Sequence, residues 1–293
     1  MSRLAYGCMR LAGDGGRGDR DRGKRAVRSA IDSGYTLFDH ADIYGGGACE
    51  VLFGEVMKES PSLRDELVIL TKAGIRPAGE PDAGDPKRYD FRADYITGCV
   101  DASLGRLGTD RVDLLLLHRP DFLMDPDEVA GALTALVDSG KVLHVGVSNF
   151  SPSQIELLAA SLSMPLVVNQ VEINIHNVGA FTDGTLDQCL RLGMTPQAWC
   201  PLAGVAYPAW GNTFDADDEA RIGAELDRQA AHYGVDGWQV ILAWLLVHPA
   251  GIAPIIGSTT PARIAAAVAA LDLDYRREDW YRLLEARNGA PVP

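Results

Sequence analysis

The chain has 293 residues, 47% hydrophobic and 23% charged, and its 27 basic against 40 acidic side chains give a formal charge of −13. That balance repels phosphate backbones at long range, and the densest basic stretch, residues 17–28, is interleaved with Asp19 and Asp21 and preceded by Asp14, so nucleic acid is set aside as a partner. Cys8, Cys49, Cys99, Cys189 and Cys200 form no CxxC pair, and the longest apolar run, residues 240–247, is far short of the ~20 residues of a membrane span, which argues against a disulfide or zinc framework and against a bilayer.

No signal-peptide h-region follows Met1, and a reducing cytoplasm is the expected setting. Along the chain, short runs rich in Val, Ile and Leu alternate with longer amphipathic stretches. A strand over 4–9 precedes a helix over 20–33, and strands over 36–39 and 67–71 precede a helix over 93–107. A strand over 112–118 leads to a helix over 126–139, and one over 142–148 to a helix over 153–161. Strands over 166–170 and 195–199 follow, then two helices over 219–233 and 237–248, a strand over 252–256 and a helix over 261–271. Ser33-Gly34, Ser139-Gly140 and Leu192-Gly193 place glycine where a helix stops before a strand.

Uninterrupted apolar runs such as Val112-Asp113-Leu114-Leu115-Leu116-Leu117 suit strands covered on both faces, hence a parallel sheet under helices. Eight strand–helix units with no linker predict one (β/α)₈ TIM barrel over residues 1–293. Residues 82–90, residues 207–217 and the tail near Tyr281 read as irregular, and the substrate pocket is expected to come from them.

A barrel builds its site from the C-terminal ends of its strands, and those ends are polar here without a packing reason. Lys72 closes the apolar run Leu67-Val68-Ile69-Leu70 in a chain that prefers arginine. Asp39, one strand over, is its natural partner, because a buried ammonium needs a carboxylate. Tyr44 lies on the adjoining loop. A unit charge at ~4 Å and an effective dielectric of ~20 is worth about 4 kcal/mol, enough to lower a phenol by up to ~3 pH units. Lys72 is therefore expected to lower Tyr44, with Asp39 aiming the ammonium and neutral His118 orienting a carbonyl oxygen.

The segments FDHADIYG, ILTKAG, LLLLHRPD, GKVLHVGVSNF, VNQVE and IIGSTTPARI, in this order, resemble the aldo-keto reductase superfamily, nearest to its bacterial oxidoreductases with a DHADIYGG segment. The resemblance spans essentially the whole chain. It implies a (β/α)₈ fold, NADPH-dependent reduction of an aldehyde or ketone, with NADH as the other cofactor, and a tetrad of Asp39, Tyr44, Lys72 and His118. It places Ser148, Asn149 and Gln170 at the nicotinamide carboxamide and Trp199 as the stacking ring. Met9, Cys200, Pro201 and Leu202 fall along the dinucleotide. Gly257, Ser258, Thr259 and Thr260 open a helix as an anion site, and Arg263 reaches a 2′-phosphate or the adenine.

Several positions depart from the family's pattern. Gly257 replaces a common Lys or Arg, and Ala266 and Ala267 replace adenine-holding Glu and Asn. His40 replaces Thr, and Arg119 an aromatic residue. The family's N-terminal floor hairpin is expected to be missing. Arg119, Tyr207, Trp210 and Phe214 are the expected pocket walls. A small-molecule carbonyl compound is the expected partner; the oligomeric state is open, with a monomer favoured.

Three rival readings are weaker. Residues 13–18 spell a GxGxxG pattern with Asp39 about 20 residues on, yet their charged neighbours describe a solvated loop rather than a dinucleotide turn. A metal site on Asp39, His40, Asp42 and His118 requires neighbours on one strand to face the same way, so no metal is expected. A nicotinamide-binding redox sensor with little turnover leaves the tetrad without a purpose. His144 and His176 read as structural or pocket-lining, and His232 and His248 as solvated helix residues.

Overall fold

Among the described residues the strands are β1 (Ala5–Gly7), β2 (Leu37–Asp39), β3 (Val68–Ala73), β4 (Ile75–Arg76), β5 (Arg88–Tyr89), β6 (Val112–Leu117), β7 (Val142–Ser148), β8 (Leu166–Glu172), β9 (Thr195–Trp199) and β10 (Ala253–Ile256), all but β4 and β5 lying on the expected apolar runs. The structure is a computed structural model that describes residues 1–13, 20–202 and 214–293. Eight strands close a parallel barrel in the cyclic order β1-β2-β3-β6-β7-β8-β9-β10, and β4 and β5 form an antiparallel pair beyond the end of β3. The barrel is the expected (β/α)₈ fold, with two strands matching the expected bounds and the rest within two residues.

Period-two alternation decides what the strands send inward. Ala5, Leu37, Leu70, Leu114, Leu116, Val168 and Ile255 form one buried cluster inside the barrel. Two residues beyond Leu37, Leu70, Leu116 and Val168 stand Asp39, Lys72, His118 and Gln170, all buried polar side chains. The polar floor of the site is thus the next storey of the barrel's apolar column. Gly146 belongs to the same interior, where an added Cβ would strike Leu116 Cδ2 at 2.7 Å and Val168 O at 2.8 Å. His40, next to Asp39, faces outward instead, its ring edge-on to Phe53 at 4.6 Å.

The outer layer comprises α1 (Arg20–Asp32), α2 (Ala48–Glu59), α3 (Leu63–Glu66), α4 (Ala93–Leu107), α5 (Pro126–Asp138), α6 (Pro152–Ser161), α7 (Thr185–Leu192), α8 (Ala216–Tyr233), α9 (Gly237–Leu246), α10 (Pro261–Ala267) and α11 (Arg277–Asn288). Their starts are encoded locally. Asp125 accepts the amides of Asp127 and Glu128 ahead of α5, and Ser151 with Gln154 forms a capping box ahead of α6, each with proline in the first turn. Among the described residues no helix is long and apolar enough to cross a membrane.

Five expectations change. Tyr281 lies on α11 rather than in an irregular tail, and residues 88–89 form a strand within the expected loop. The helix expected over 261–271 is α10 continued by a 3₁₀ turn over Val268–Leu271. His144 is an exposed strand residue, whereas His248 lies past α9, half-buried, with Nδ1 accepting from the Ala250 amide at 3.1 Å. Tyr207, Trp210 and residues 14–18 of the GxGxxG pattern lie outside the described residues.

Candidate active site

A cleft of about 930 Å³ opens over the C-terminal ends of the strands. On its floor the end of β3 delivers Lys72, fully buried, and the end of β2 delivers Asp39. Lys72 Nζ sits 2.7 Å from Asp39 Oδ1 and donates to Tyr44 OH at 3.0 Å and to the His40 carbonyl at 2.9 Å. Tyr44 starts a 3₁₀ turn over Tyr44–Gly47, whose Gly45, Gly46 and Gly47 take positive φ of 59°, 61° and 88°. That tight turn folds the phenol back over the barrel mouth. His118 follows β6, with its ring edge-on to Tyr44 at 5.9 Å.

Electrostatics here are a contest between burial and charge. Burial works against the Lys72 ammonium, but Asp39 and Tyr44 together raise its pKa above the ordinary lysine value. The Tyr44 phenol is pushed up to about 12, because burial outweighs the lowering pull of Lys72 and Asp39 adds to the rise. This corrects the expectation of a net lowering, which counted the Lys72 charge and left out the burial. His118 is held well below the usual histidine range by burial and by the cations Lys72, Arg119 and Lys87. Its Nδ1 is buried without a hydrogen-bond partner among the described residues. His40 is lowered to about 3 by burial and by Lys72, so that ring too is neutral.

All the residues assigned to the dinucleotide line the cleft: Met9, Asp39, Ser148, Asn149, Gln170, Trp199, Cys200, Pro201, Leu202, Gly257, Ser258, Thr259, Thr260 and Arg263. Their polar groups are partly spent on one another. Ser148 Oγ donates to the Gln170 carbonyl at 2.8 Å and accepts from Asn149 Nδ2 at 2.7 Å, while Trp199 Nε1 donates to Asn149 Oδ1 at 2.9 Å. Gln170 Nε2 donates to Asp39 Oδ1 at 2.8 Å and to Gln197 Oε1 at 2.9 Å, which leaves Gln170 Oε1 to accept from a ligand amide.

Asn149 and Cys200 hold left-handed backbone, with φ of 61° and 48°, at the two strand ends flanking Trp199 and Gln170. Such strain in non-glycine residues is concentrated at ligand clamps. Gly257 lines the cleft, and an added Cβ would meet no protein atom within 4 Å. The side-chain carboxamides of Asn149 and Gln170, the Trp199 ring and the bare Gly257 fit a nicotinamide dinucleotide. The expected anion site at residues 258–260 is reduced, since Ser258 Oγ takes the Thr260 amide at 3.1 Å and α10 is short. Arg263, in the first turn of α10, also lines the cleft.

Of the expected pocket walls, Arg119 lines the cleft, its guanidinium 5.4 Å from the Trp199 ring. Phe214 does not. It packs on His176 at 4.6 Å and beneath Arg287 at 5.2 Å. His176 faces Glu219, with Nε2 2.8 Å from Oε1. The expected pocket segment 82–90 reaches the cleft through Lys87 and Tyr89, which sequence reasoning did not single out, whereas Tyr281 is not among the lining residues; Ile43, Ile75 and Trp238 were missed altogether. Lys72 itself lies beneath the cleft surface, behind Tyr44. Two strands of only two residues carry no periodicity, so no local signal places Lys87 there.

The aldo/keto reductase family model matches residues 3–288. A 6-dehydroglucose reductase of Novosphingobium aromaticivorans is 42% identical over 301 residues, covering 100% of this chain and 94% of its own. One of Agrobacterium fabrum is 41% identical over 299 residues, covering 100% and 96%. A solved thermostable aldo-keto reductase, Tm1743, in complex with the inhibitor epalrestat, is similar with a TM-score of 0.82 at 26% identity, covering 98% of this chain and 95% of that one.

Proposed function

The chain belongs to the aldo/keto reductase family, and from that premise we propose that it reduces an aldehyde or ketone to an alcohol with NADPH, Tyr44 giving the proton. The observation that carries this reading is Lys72 Nζ, held 2.7 Å from Asp39 Oδ1 and 3.0 Å from the Tyr44 hydroxyl. A reduced nicotinamide, when bound, supplies the hydride that the side chains lack.

Ser148, Asn149 and Gln170 hold the carboxamide, and Trp199 offers its ring as the stacking face. Met9, Cys200, Pro201 and Leu202 follow the dinucleotide, and residues 257–260 with Arg263 receive its adenosine phosphates. His118, kept neutral by burial and the neighbouring cations, donates a hydrogen bond to the carbonyl oxygen and fixes its direction. Tyr44 passes its proton to the oxygen as negative charge gathers there. The phenolate left behind forms beside Lys72, whose ammonium is held by Asp39 and so needs no reorganisation at that moment. Because the phenol sits high, at about 12, it is fully protonated before the step, and Lys72 matters for the product anion.

The test is a panel of aldehydes and ketones with NADPH and, separately, NADH, following loss of the reduced dinucleotide. Turnover of at least one carbonyl compound with a preference for NADPH is expected. Tight dinucleotide binding with no turnover of any carbonyl compound would overturn the reading.

A further inference from the structure

Trp238 lines the cleft together with Ser258, Thr259, Thr260 and Arg263, although it comes from α9 and not from a strand end. Hydrogen bonds of its neighbour settle where it stands. Gln239, which is 7% exposed, accepts the Asp236 amide at 2.8 Å and so sets the start of α9. The same side chain donates to the Ala266 carbonyl at 2.6 Å. The first turn of α9, which carries Trp238, is thereby tied to α10, whose first turn carries Arg263.

The indole is half-buried, and its Nε1 donates to Asp236 Oδ2 at 3.1 Å. That bond spends the one polar group of the ring inside its own helix start and leaves a π face as what it can offer a ligand. The ring also packs against the core cluster to which Ile264 and Ala267 of α10 belong, so it is held in place. Trp244 and Trp280, by comparison, are closed on each other, stacked at 5.2 Å with each Nε1 donating to the other's backbone carbonyl. Trp238 meets no other ring and no cation among the described residues.

The side chains of α10 cannot read the edge of an adenine. Its sequence is PARIAAA, so Arg263 is its single polar side chain and methyl groups occupy positions 265, 266 and 267. A guanidinium only donates, and the 6-amino group of adenine also donates, so the two do not pair. Ser258 Oγ is already turned to the Thr260 amide at 3.1 Å. A flat indole, in contrast, stacks on any purine whatever its edge carries.

We propose that Trp238 is a further binding residue whose ring stacks on the purine of the dinucleotide, so that the base is held by its face and not read at its edge. The proposal rests on the dinucleotide reading above, and adds to it a residue of α9 and a tolerance of base identity.

The experiment is calorimetric titration with three probes: NADP+, its fragment 2′,5′-ADP, and nicotinamide hypoxanthine dinucleotide phosphate, in which a carbonyl oxygen replaces the purine amino group. In the unaltered protein the hypoxanthine probe should bind no more than about threefold more weakly than NADP+, and a larger loss means that the edge is read and overturns the proposal. Trp238→Leu, which keeps apolar bulk, should raise the Kd of NADP+ and of 2′,5′-ADP by the same factor, at least about fivefold, while Trp238→Phe stays within about threefold of the parent. A smaller effect of Trp238→Leu, or one on NADP+ that 2′,5′-ADP does not share, overturns it. The hypoxanthine comparison needs no variant and so decides even where Trp238→Leu does not fold. If the unaltered protein binds NADP+ and Trp238→Leu binds it equally well, only the stacking residue falls; if the unaltered protein binds no dinucleotide, the function proposed above falls with it.

Discussion

Gln170 Nε2 donates to Asp39 Oδ1 at 2.8 Å, across the barrel and 131 residues away in the chain. The same oxygen receives Lys72 Nζ at 2.7 Å, and the second Gln170 hydrogen goes to Gln197 Oε1 at 2.9 Å. One residue thus belongs both to the proposed carboxamide site and to the contacts of the carboxylate that holds Lys72. Gln170→Leu should therefore leave two buried acceptors short of a donor and cost about 1–3 kcal/mol of stability. Urea denaturation measures that loss, and the KM for the dinucleotide should rise in the same variant. An unchanged urea midpoint would mean that Gln170 supports neither partner.

Lys72→Met removes the partner of a carboxylate that is 3% exposed. Breaking a buried pair from one side costs about 3–5 kcal/mol, because the remaining charge is left uncompensated. Asp39→Asn should cost a comparable amount, and the double variant Asp39→Asn/Lys72→Met less than the sum of the two. Strict additivity in a thermal or urea double-mutant cycle would show that the two residues do not act as a pair.

Tyr44→Phe should lower kcat by about 10²–10⁴-fold while leaving dinucleotide affinity intact. The phenol at about 12 sets the pH dependence. A group raised above its ordinary value stays protonated below it, so the reductive rate should be flat from neutral to mildly alkaline pH and fall only on approach to about 12. Single-turnover rates across that range test it. A rate falling near pH 8 would place the donor elsewhere.

Arg263→Ala should raise the KM for NADPH by about tenfold or more and the KM for NADH far less, since charge-assisted hydrogen bonds contribute about 1.5–3 kcal/mol. Steady-state titration with both cofactors decides it. Equal effects would mean that Arg263 does not read the 2′-phosphate.

Asp279 anchors α11 to α8. Its carboxylate accepts from Arg228 at 2.6 Å, Tyr233 OH at 2.7 Å and Arg282 at 2.8 Å. Burial opposes the charge, but these partners hold the carboxyl at about 2. A depressed folded-state pKa stabilises above the unfolded value near ~3.9 and loses that effect as pH falls toward 2, a difference of about 2–3 kcal/mol. Asp279→Asn should be less stable than the parent at neutral pH, and the gap should close between about pH 4 and 2. A gap that persists at acid pH would assign the loss to packing.

Legibility followed the physical origin of each feature. Barrel strands were readable because their apolar runs are set by burial on both faces, and β7 and β9 begin and end where the runs do. The helix α2 was readable too, since Cys49, Leu52, Phe53, Val56 and Met57 repeat at helical spacing and are buried, although no helix was assigned there. By contrast α11 fully buries only Asp279 and Leu283, and joins its polar network to a short apolar contact in which Trp280 stacks on Trp244 at 5.2 Å, too few positions to mark a stripe in the sequence.

The sequence by itself determined the barrel, through the apolar runs of its strands, and the family, through the resemblance of its segments; strand periodicity also puts Asp39, Lys72, His118 and Gln170 one storey above the inward-facing apolar side chains. Only the tertiary structure decided how those residues share their hydrogen bonds, that burial outweighs Lys72 at Tyr44, and that Lys87 reaches the cleft. Those outcomes depend on solvent exclusion and on contacts between distant segments, and neither quantity is written in any local stretch of the chain.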